Sequence, residues 1–366
     1  MLETGEHQLK DWVGRSEVAC DTLVLQQATR MAALLDIEKP PSEGDELPQL
    51  WHWAYFTPNA RQSLMDVDGH PVRGGFLPPV KLPRRMWAGS RVRFLAPLRI
   101  GQAVSRKSEI LSVEPKTGKQ GDLVFVTLRH TLSTQDGVAV DEEQDIVYRA
   151  PVSTAMPVPV KDVREADWSD PLTPDAVMLF RYSALTFNAH RIHYDLTYAK
   201  EVESYPGLVV QGPMTATLLL HAFVRHTGKR AKTFRFRGKS PLFADHPVRL
   251  CGAESTSAGT YDLWAEGPGG YTAMSAQVTV EGRWKVEPYA LAPPGDKHLA
   301  LLTDADHYLG GIARPDQSPV PAHKQAVAEL TLAFLDAYLL KDASAKVWLD
   351  HLQDRIGDCK GLFKHK

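Results

Sequence analysis

The 366-residue sequence predicts an α+β protein: two helix-wrapped antiparallel sheets in tandem, then an appendage of one short strand plus helices. Three observations predict it. The apolar pattern twice passes from helical spacing to strand-like segments of Val, Ile, Leu, Thr and Phe. A proline- and valine-rich stretch separates the two passages. Beyond residue 286 the chain changes character, to a breaker cluster, a brief apolar run and an amphipathic helix.

Taken in order, residues 16–36 read as a helix, since Val18, Leu23, Leu25, Ala28, Ala32 and Leu35 recur at three- and four-residue spacing. Asp21 or Ser16 would cap it. Residues 48–100 are dense in Pro, Gly, Trp and Arg, which predicts ordered loops. Strands are expected at 102–114, 122–134 and 139–149, divided by turns at Lys116-Thr117-Gly118 and Gln135-Asp136-Gly137. These close a first domain, 1–150. An extended linker, 151–175, follows, its prolines unsuited to joining either sheet. The second domain, 176–285, holds a helix from Pro213 to Val224 and strands at 233–239, 246–253, 260–266 and 271–282. In 286–366 a strand, Leu299-Ala300-Leu301-Leu302, precedes a loop with Asp304, Asp306 and His307 and a helix from Ala322 to about Leu340.

Composition excludes several classes. Net charge is -2, so no global field draws the chain to nucleic acid or an anionic membrane. No uncharged apolar run reaches the roughly 20 residues that span a bilayer, and the acidic start Met1-Leu2-Glu3 is unlike a secretory leader. Cys20, Cys251 and Cys359 are too few and scattered for a disulfide framework or zinc site. A cytoplasmic protein without nucleic-acid or membrane partners is expected.

Chemistry concentrates at Asn188, His190, His193 and Asp195, a dense polar cluster between apolar elements. Such a cluster needs partners or a task. Proton transfer is one task, because imidazole accepts and returns a proton near neutral pH. The alternative is that these side chains only satisfy a buried loop. His190 and His193 could face one ion, but no third ligand is evident, so no metal is expected.

The string Tyr182-Ser183-Ala184-Leu185-Thr186-Phe187-Asn188-Ala189-His190-Arg191-Ile192-His193-Tyr194-Asp195 resembles the hydratase-2 motif of MaoC-type hot-dog proteins. In that motif the catalytic histidine corresponds to His193 and the trailing acid to Asp195. Asn188 stands where the catalytic aspartate is usual, and Phe187 replaces a glycine. Val209-Val210-Gln211-Gly212-Pro213-Met214 resembles the oxyanion loop, with Gln211 where histidine is more common. The segments Trp51-His52-Trp53, Asp68-Gly69-His70-Pro71, Gly74-Gly75-Phe76-Leu77-Pro78-Pro79 and Leu82-Pro83-Arg84-Arg85-Met86-Trp87 extend the likeness over roughly 45–282. They are similar to the branch of mesaconyl-C4-CoA (3-methylfumaryl-CoA) hydratases, itaconyl-CoA hydratases and 3-hydroxyacyl-thioester dehydratases.

The resemblance implies a double hot dog whose first copy is a non-catalytic partner, acting on an acyl-CoA thioester without cofactor. A homodimer is one assembly open to it. Adding water to an enoyl-CoA would use His193 as base, Asn188 to orient the water and the Gly212 N–H as oxyanion donor. Tyr182, His190 and Asp195 would support them. A substrate carrying a second carboxylate, such as mesaconyl-C4-CoA hydrated to citramalyl-CoA, would take a guanidinium. Arg73, Arg84 and Arg85, with Gln211, are the candidates, although these arginines could instead stack on aromatic rings or hold CoA phosphates.

Residues 297–311, around His307, resemble the last strand and histidine loop of α/β-hydrolases close to dienelactone hydrolases. No Gly-x-Ser-x-Gly elbow exists for that histidine to serve. A gene-fusion remnant or docking segment is expected there. Ester hydrolysis, or a non-catalytic hot-dog subunit, are the readings from other classes.

Overall fold

The computed structural model describes residues 9–118, 121–150, 161–162, 164–280, 298–302 and 361–365. The chain divides into two compact units, 1–282 and 283–366. In the first unit, β1 (Ser16–Thr22) and α1 (Leu25–Leu34) precede β2 (Arg84–Phe94), β3 (Ala103–Gly118), β4 (Gly121–Thr134) and β5 (Gly137–Arg149). Then come β6 (Trp168–Leu172), α2 (Ala176–Thr186), α3 (Gly212–Thr227), β7 (Ala231–Gly238), β8 (Val248–Glu254), β9 (Thr260–Glu266) and β10 (Thr272–Val280).

All ten strands form one antiparallel sheet in the order β1-β3-β4-β5-β2-β7-β10-β9-β8-β6. Read outward from the β2–β7 joint, the halves mirror one another: β2 answers β7, β5 answers β10, and so on to the edge strands β1 and β6. This is the double hot dog, two helix-wrapped sheets fused edge to edge. At the joint Gly89 lies opposite Arg237, and a Cβ there would come within 2.3 Å of the Phe236 carbonyl oxygen, so only glycine permits that approach.

The main core is shared by both halves, and a smaller cluster around Ile110, Val126 and Tyr148 belongs to the first. Ala28, Met31 and Ala32 of α1, Leu179 and Tyr182 of α2, and Met214, Leu219, Leu220 and Phe223 of α3 pack in a single cluster with Val92, Phe234 and Val278 of the sheet. The α3 helix opens with Pro213 in its first turn and closes on Gly228 in the left-handed conformation.

Four elements differ from the sequence expectation. Residues 16–22 form an edge strand, not the start of a helix. Most of its side chains are exposed, so no buried face imposes alternation. Residues 84–94, expected as loop, form the strand that joins the halves. Pro171 lies in β6, inside the expected linker, and is tolerated because β6 is an edge strand paired only with β8. The helix α2, capped by Asp175 Oδ1 accepting from Met178 N at 2.7 Å, was not predicted.

In the second unit β11 (His298–Leu302) pairs antiparallel with β12 (Gly361–His365), so the single strand expected there has a partner. The expected helix over 322–340 and the Asp304, Asp306 and His307 loop lie outside the described residues.

Candidate active site

The loop after α2 is shaped by its own backbone. Phe187 ends the helix in the left-handed region (φ 51), a position that favours glycine. The Asn188 N–H then returns to the Ser183 carbonyl (2.8 Å), and Asn188 Oδ1 accepts from His190 N (3.1 Å). A single turn, Arg191–His193, follows over a small apolar cluster of Ile192, Tyr198, Ala199, Tyr205 and Val209.

Val209 fixes the catalytic candidate. Its N–H donates to the Ile192 carbonyl (2.9 Å), and its own carbonyl accepts from His193 Nδ1 at 2.7 Å. A carbonyl oxygen only accepts, so Nδ1 carries the hydrogen and Nε2 keeps its lone pair. Burial pushes the His193 pKa down to about 4, with the Val209 bond opposing it, so the ring is neutral at pH 7. Asp195 faces elsewhere. Its Oδ2 accepts from both Nε (3.0 Å) and a terminal nitrogen (2.7 Å) of Arg191, and its Oδ1 caps the next turn through Tyr198 N (3.0 Å).

The N-terminal half enters the same site. The Asp68 carbonyl accepts from Arg191 N (2.9 Å), and the Val67 carbonyl accepts from the Arg191 guanidinium (3.1 Å). Gly69 (φ +88) is pressed so closely on the loop that a Cβ would lie 1.8 Å from the Ala189 carbonyl oxygen. This docking brings the His70 and His190 ring centroids to 4.2 Å, with His193 5.3 Å beyond His190. Asp68 Oδ1 accepts from His70 N (2.8 Å) and Oδ2 from His70 Nδ1 (3.0 Å). Burial raises the Asp68 pKa, but the bond and charge of His70 outweigh it and hold the carboxyl well below the usual range. Burial, then the like charges of His70 and His193, push His190 down to about 2. Asp68, His70 and His190 also have the spacing to hold an ion, one ligand atom of each lying within 4.8 Å of the others. The ion weighed from the sequence lay between His190 and His193, whereas this grouping omits His193 and joins His190 to residues some 120 positions earlier.

These groups open on a cleft of about 1550 Å³ walled by both halves. His70, Asn188, His190, His193, Tyr182 and Gly212 line it, with an aromatic box of Trp53, Trp87 and Phe236 whose ring centroids lie 4.9–6.2 Å apart. Gly212 heads α3, where N–H groups lack intrahelical partners and the dipole is positive. The Tyr182 hydroxyl is buried without a hydrogen-bond partner among the described residues. Gln211 also borders the cleft, but its amide donates to the Leu179 carbonyl (2.9 Å) and Ser183 Oγ (3.0 Å), tying α3 to α2.

The three arginines separate. Arg73 donates to the carbonyls of Val80, Leu82 and Pro83. Arg84 is buried against Glu203, binding its carboxylate (2.9 Å) and its carbonyl (2.7 Å). Arg85 alone of the three lines the cleft.

Comparison with known proteins gives this arrangement its setting. The profile of the family "Hydroxyacyl-thioester dehydratase type 2" matches residues 50–244, a span that contains the Val67–His70 segment, the histidine loop and the whole of α3. The chain belongs to that family. It is an enzyme, a hydro-lyase of the hydratase/dehydratase type acting on an acyl thioester. A mesaconyl-C(4)-CoA hydratase of Chloroflexus aurantiacus is 46% identical over 74% of this chain and 97% of its own length. The mitochondrial hydroxyacyl-thioester dehydratase type 2 of Schizosaccharomyces pombe is 30% identical over 59% of this chain and 79% of its own. Among solved structures, a MaoC-like dehydratase from Phytophthora capsici shares the fold with a TM-score of 0.55 at 15% identity, over 75% of this chain and 98% of its own.

Proposed function

We propose that this hydro-lyase hydrates a five-carbon dicarboxylyl-CoA, with mesaconyl-C4-CoA giving citramalyl-CoA as the best-supported reaction. The observation that carries the chemistry is the His193 Nδ1–Val209 hydrogen bond, which leaves a neutral Nε2 facing the cleft. Water held by Asn188 gives a proton to that lone pair as its oxygen bonds to the β-carbon. The electron pair of the C=C bond moves onto the α-carbon and thioester oxygen, where the Gly212 N–H opposes the developing charge. The proton then returns from His193 to the α-carbon, leaving the imidazole neutral again.

Two observations support the dicarboxylyl substrate: the likeness to the Chloroflexus hydratase, and the presence on the cleft wall of Arg85, a group suited to pairing with a carboxylate. Arg235, Arg237 and Lys239 on the cleft wall supply cations for the CoA phosphates. The likeness to the yeast enzyme favours a second reading, dehydration of a 3-hydroxyacyl thioester, which is the same chemistry reversed.

The test is loss of enoyl-thioester absorbance with mesaconyl-C4-CoA and crotonyl-CoA side by side. Arg85→Ala is expected to lower kcat/KM on mesaconyl-C4-CoA roughly tenfold or more relative to crotonyl-CoA. Arg84→Ala is expected to lower stability without that selectivity. Equal losses on both substrates from Arg85→Ala would remove the carboxylate role.

A further inference from the structure

The histidine loop presents Asn188 where a carboxylate would balance a protonated imidazole, and its own acid, Asp195, is spent on Arg191 and Tyr198. We propose that Asp68 and His70, delivered by the N-terminal half, are positioning residues of the catalytic centre, Asp68 supplying the buried anion that offsets the imidazolium formed in each turnover. This rests on the hydro-lyase reading.

Charge balance in a dry site is the reason. When His193 takes a proton from water, a positive charge appears beside the buried imidazole of His190 and, beyond it, the half-buried one of His70. Arg73 and Arg85 add positive potential at His70. An uncompensated charge there is costly. Two buried carboxylates, Glu203 and Asp68, lie close enough to feel one another on this side of the site. Glu203 is already paired with Arg84. Asp68 is the other: it is buried and ionised, its field reaches His190, the ring beside His193, and it acts also on Glu203, Tyr198 and Tyr148.

The placement is built rather than incidental. Two hydrogen bonds from Arg191 hold the 67–68 backbone to the histidine loop, and Gly69 removes the Cβ that would forbid the contact. Both Asp68 oxygens are engaged by His70, one on its backbone and one on its ring. The ring is therefore fixed with Nδ1–H toward Asp68 and Nε2 unprotonated, on a side chain that lines the cleft. The same engagement favours a hydrogen-bonded Asp68–His70 pair set against the His190 ring over a coordination site. In this role Asp68 and His70 exchange no proton with substrate; they lower the energy of the charge His193 carries.

Asp68→Asn is the decisive variant, since the amide keeps an oxygen for His70 N while it removes the charge and the acceptor that faces His70 Nδ1–H. On whichever of mesaconyl-C4-CoA or crotonyl-CoA the unaltered enzyme turns over, kcat is expected to fall roughly tenfold to a hundredfold with KM within about threefold. Losing the anion also lowers the pKa of the neighbouring imidazoles, so the acid limb of the kcat–pH profile should move to lower pH. A residue that merely packs would not move it. His70→Ala is expected to lose kcat similarly and to regain part of it when imidazole is added, and this result decides if Asp68→Asn loses its thermal transition. Unaltered kcat and pH profile in Asp68→Asn would overturn the proposal. So would activity of the unaltered enzyme that a chelator abolishes and zinc restores, because the cluster would then be an ion site. Failure of the unaltered enzyme to hydrate either thioester would instead bring down the hydro-lyase reading itself.

Discussion

Among the described residues the first half of the sheet has strands of up to 16 residues, whereas no strand of the second exceeds nine. Each half buries charge, but to different ends. In the first, Glu142 accepts from Trp53 Nε1 (2.9 Å) and Ser90 Oγ (2.7 Å) and lies 3.5 Å from His52 Nε2. Ser90 in turn accepts from Trp87 Nε1 (2.9 Å). That network fixes the two tryptophans of the cleft wall. In the second, the buried histidines are left with an open lone pair. The first half braces the cleft wall and lends Asp68 and His70 to its floor, while His193, with its open lone pair, belongs to the second. Duplication makes this division available, because a residue lost from one copy can be answered by the other across the joint.

The sharpest way to break the comparison is His193→Ala, expected to cut kcat by roughly 10²- to 10⁴-fold with a Tm close to that of the unaltered chain. A comparable loss of stability would mean the second half is also built on its histidine. Next, Gly69→Val should cost about 3 kcal/mol or more and abolish turnover, read by thermal melting and assay together. An active, stable Gly69→Val would show that the halves need not touch at this point. Glu142→Ala should destabilise by about 3 kcal/mol, as expected when one partner of a buried polar network is removed, and raise KM through looser tryptophans. An unchanged melting curve would deny the first half its structural charge.

Acid titration probes both halves at once. His193 is neutral when folded, with its pKa pushed down to about 4, and protonates near 6.5 when unfolded. Between those values the unfolded chain binds more protons, so stability falls as pH drops through that window, by up to about 3 kcal/mol from this group. His130 in the first half shifts in the same direction through burial. A flatter stability–pH slope in His193→Gln, measured by denaturant unfolding, isolates the second half's share. The smallest expected effect is a gain: Phe187→Gly relieves the left-handed backbone and should stabilise by about 0.5–1 kcal/mol.

Much of this was legible in sequence where burial is one-sided. Strands β3, β4, β5 and β7 to β10 announce themselves by composition and turns, and α3 by its Gly-Pro start and apolar run. Edge strands β1 and β6 escaped because exposure erases alternation. The joint strand β2 escaped because Arg84, Arg85, Trp87 and Gly89 disguise it as loop. His193 stood out through its string, and Arg85 was named together with two arginines that the fold occupies otherwise. Asp68 and His70 were seen only as part of a family likeness. Their meaning depends on a contact across 120 residues, for which the one local hint was a glycine between an acid and a histidine.

The mirrored strand order has an engineering corollary. Because the cleft is walled from both sides of the β2–β7 seam, severing the chain between β5 and β6 would yield two inactive pieces whose recombination reconstitutes the site. Turnover by the mixed fragments would then report their association, making the seam a switchable junction between two separately expressed polypeptides.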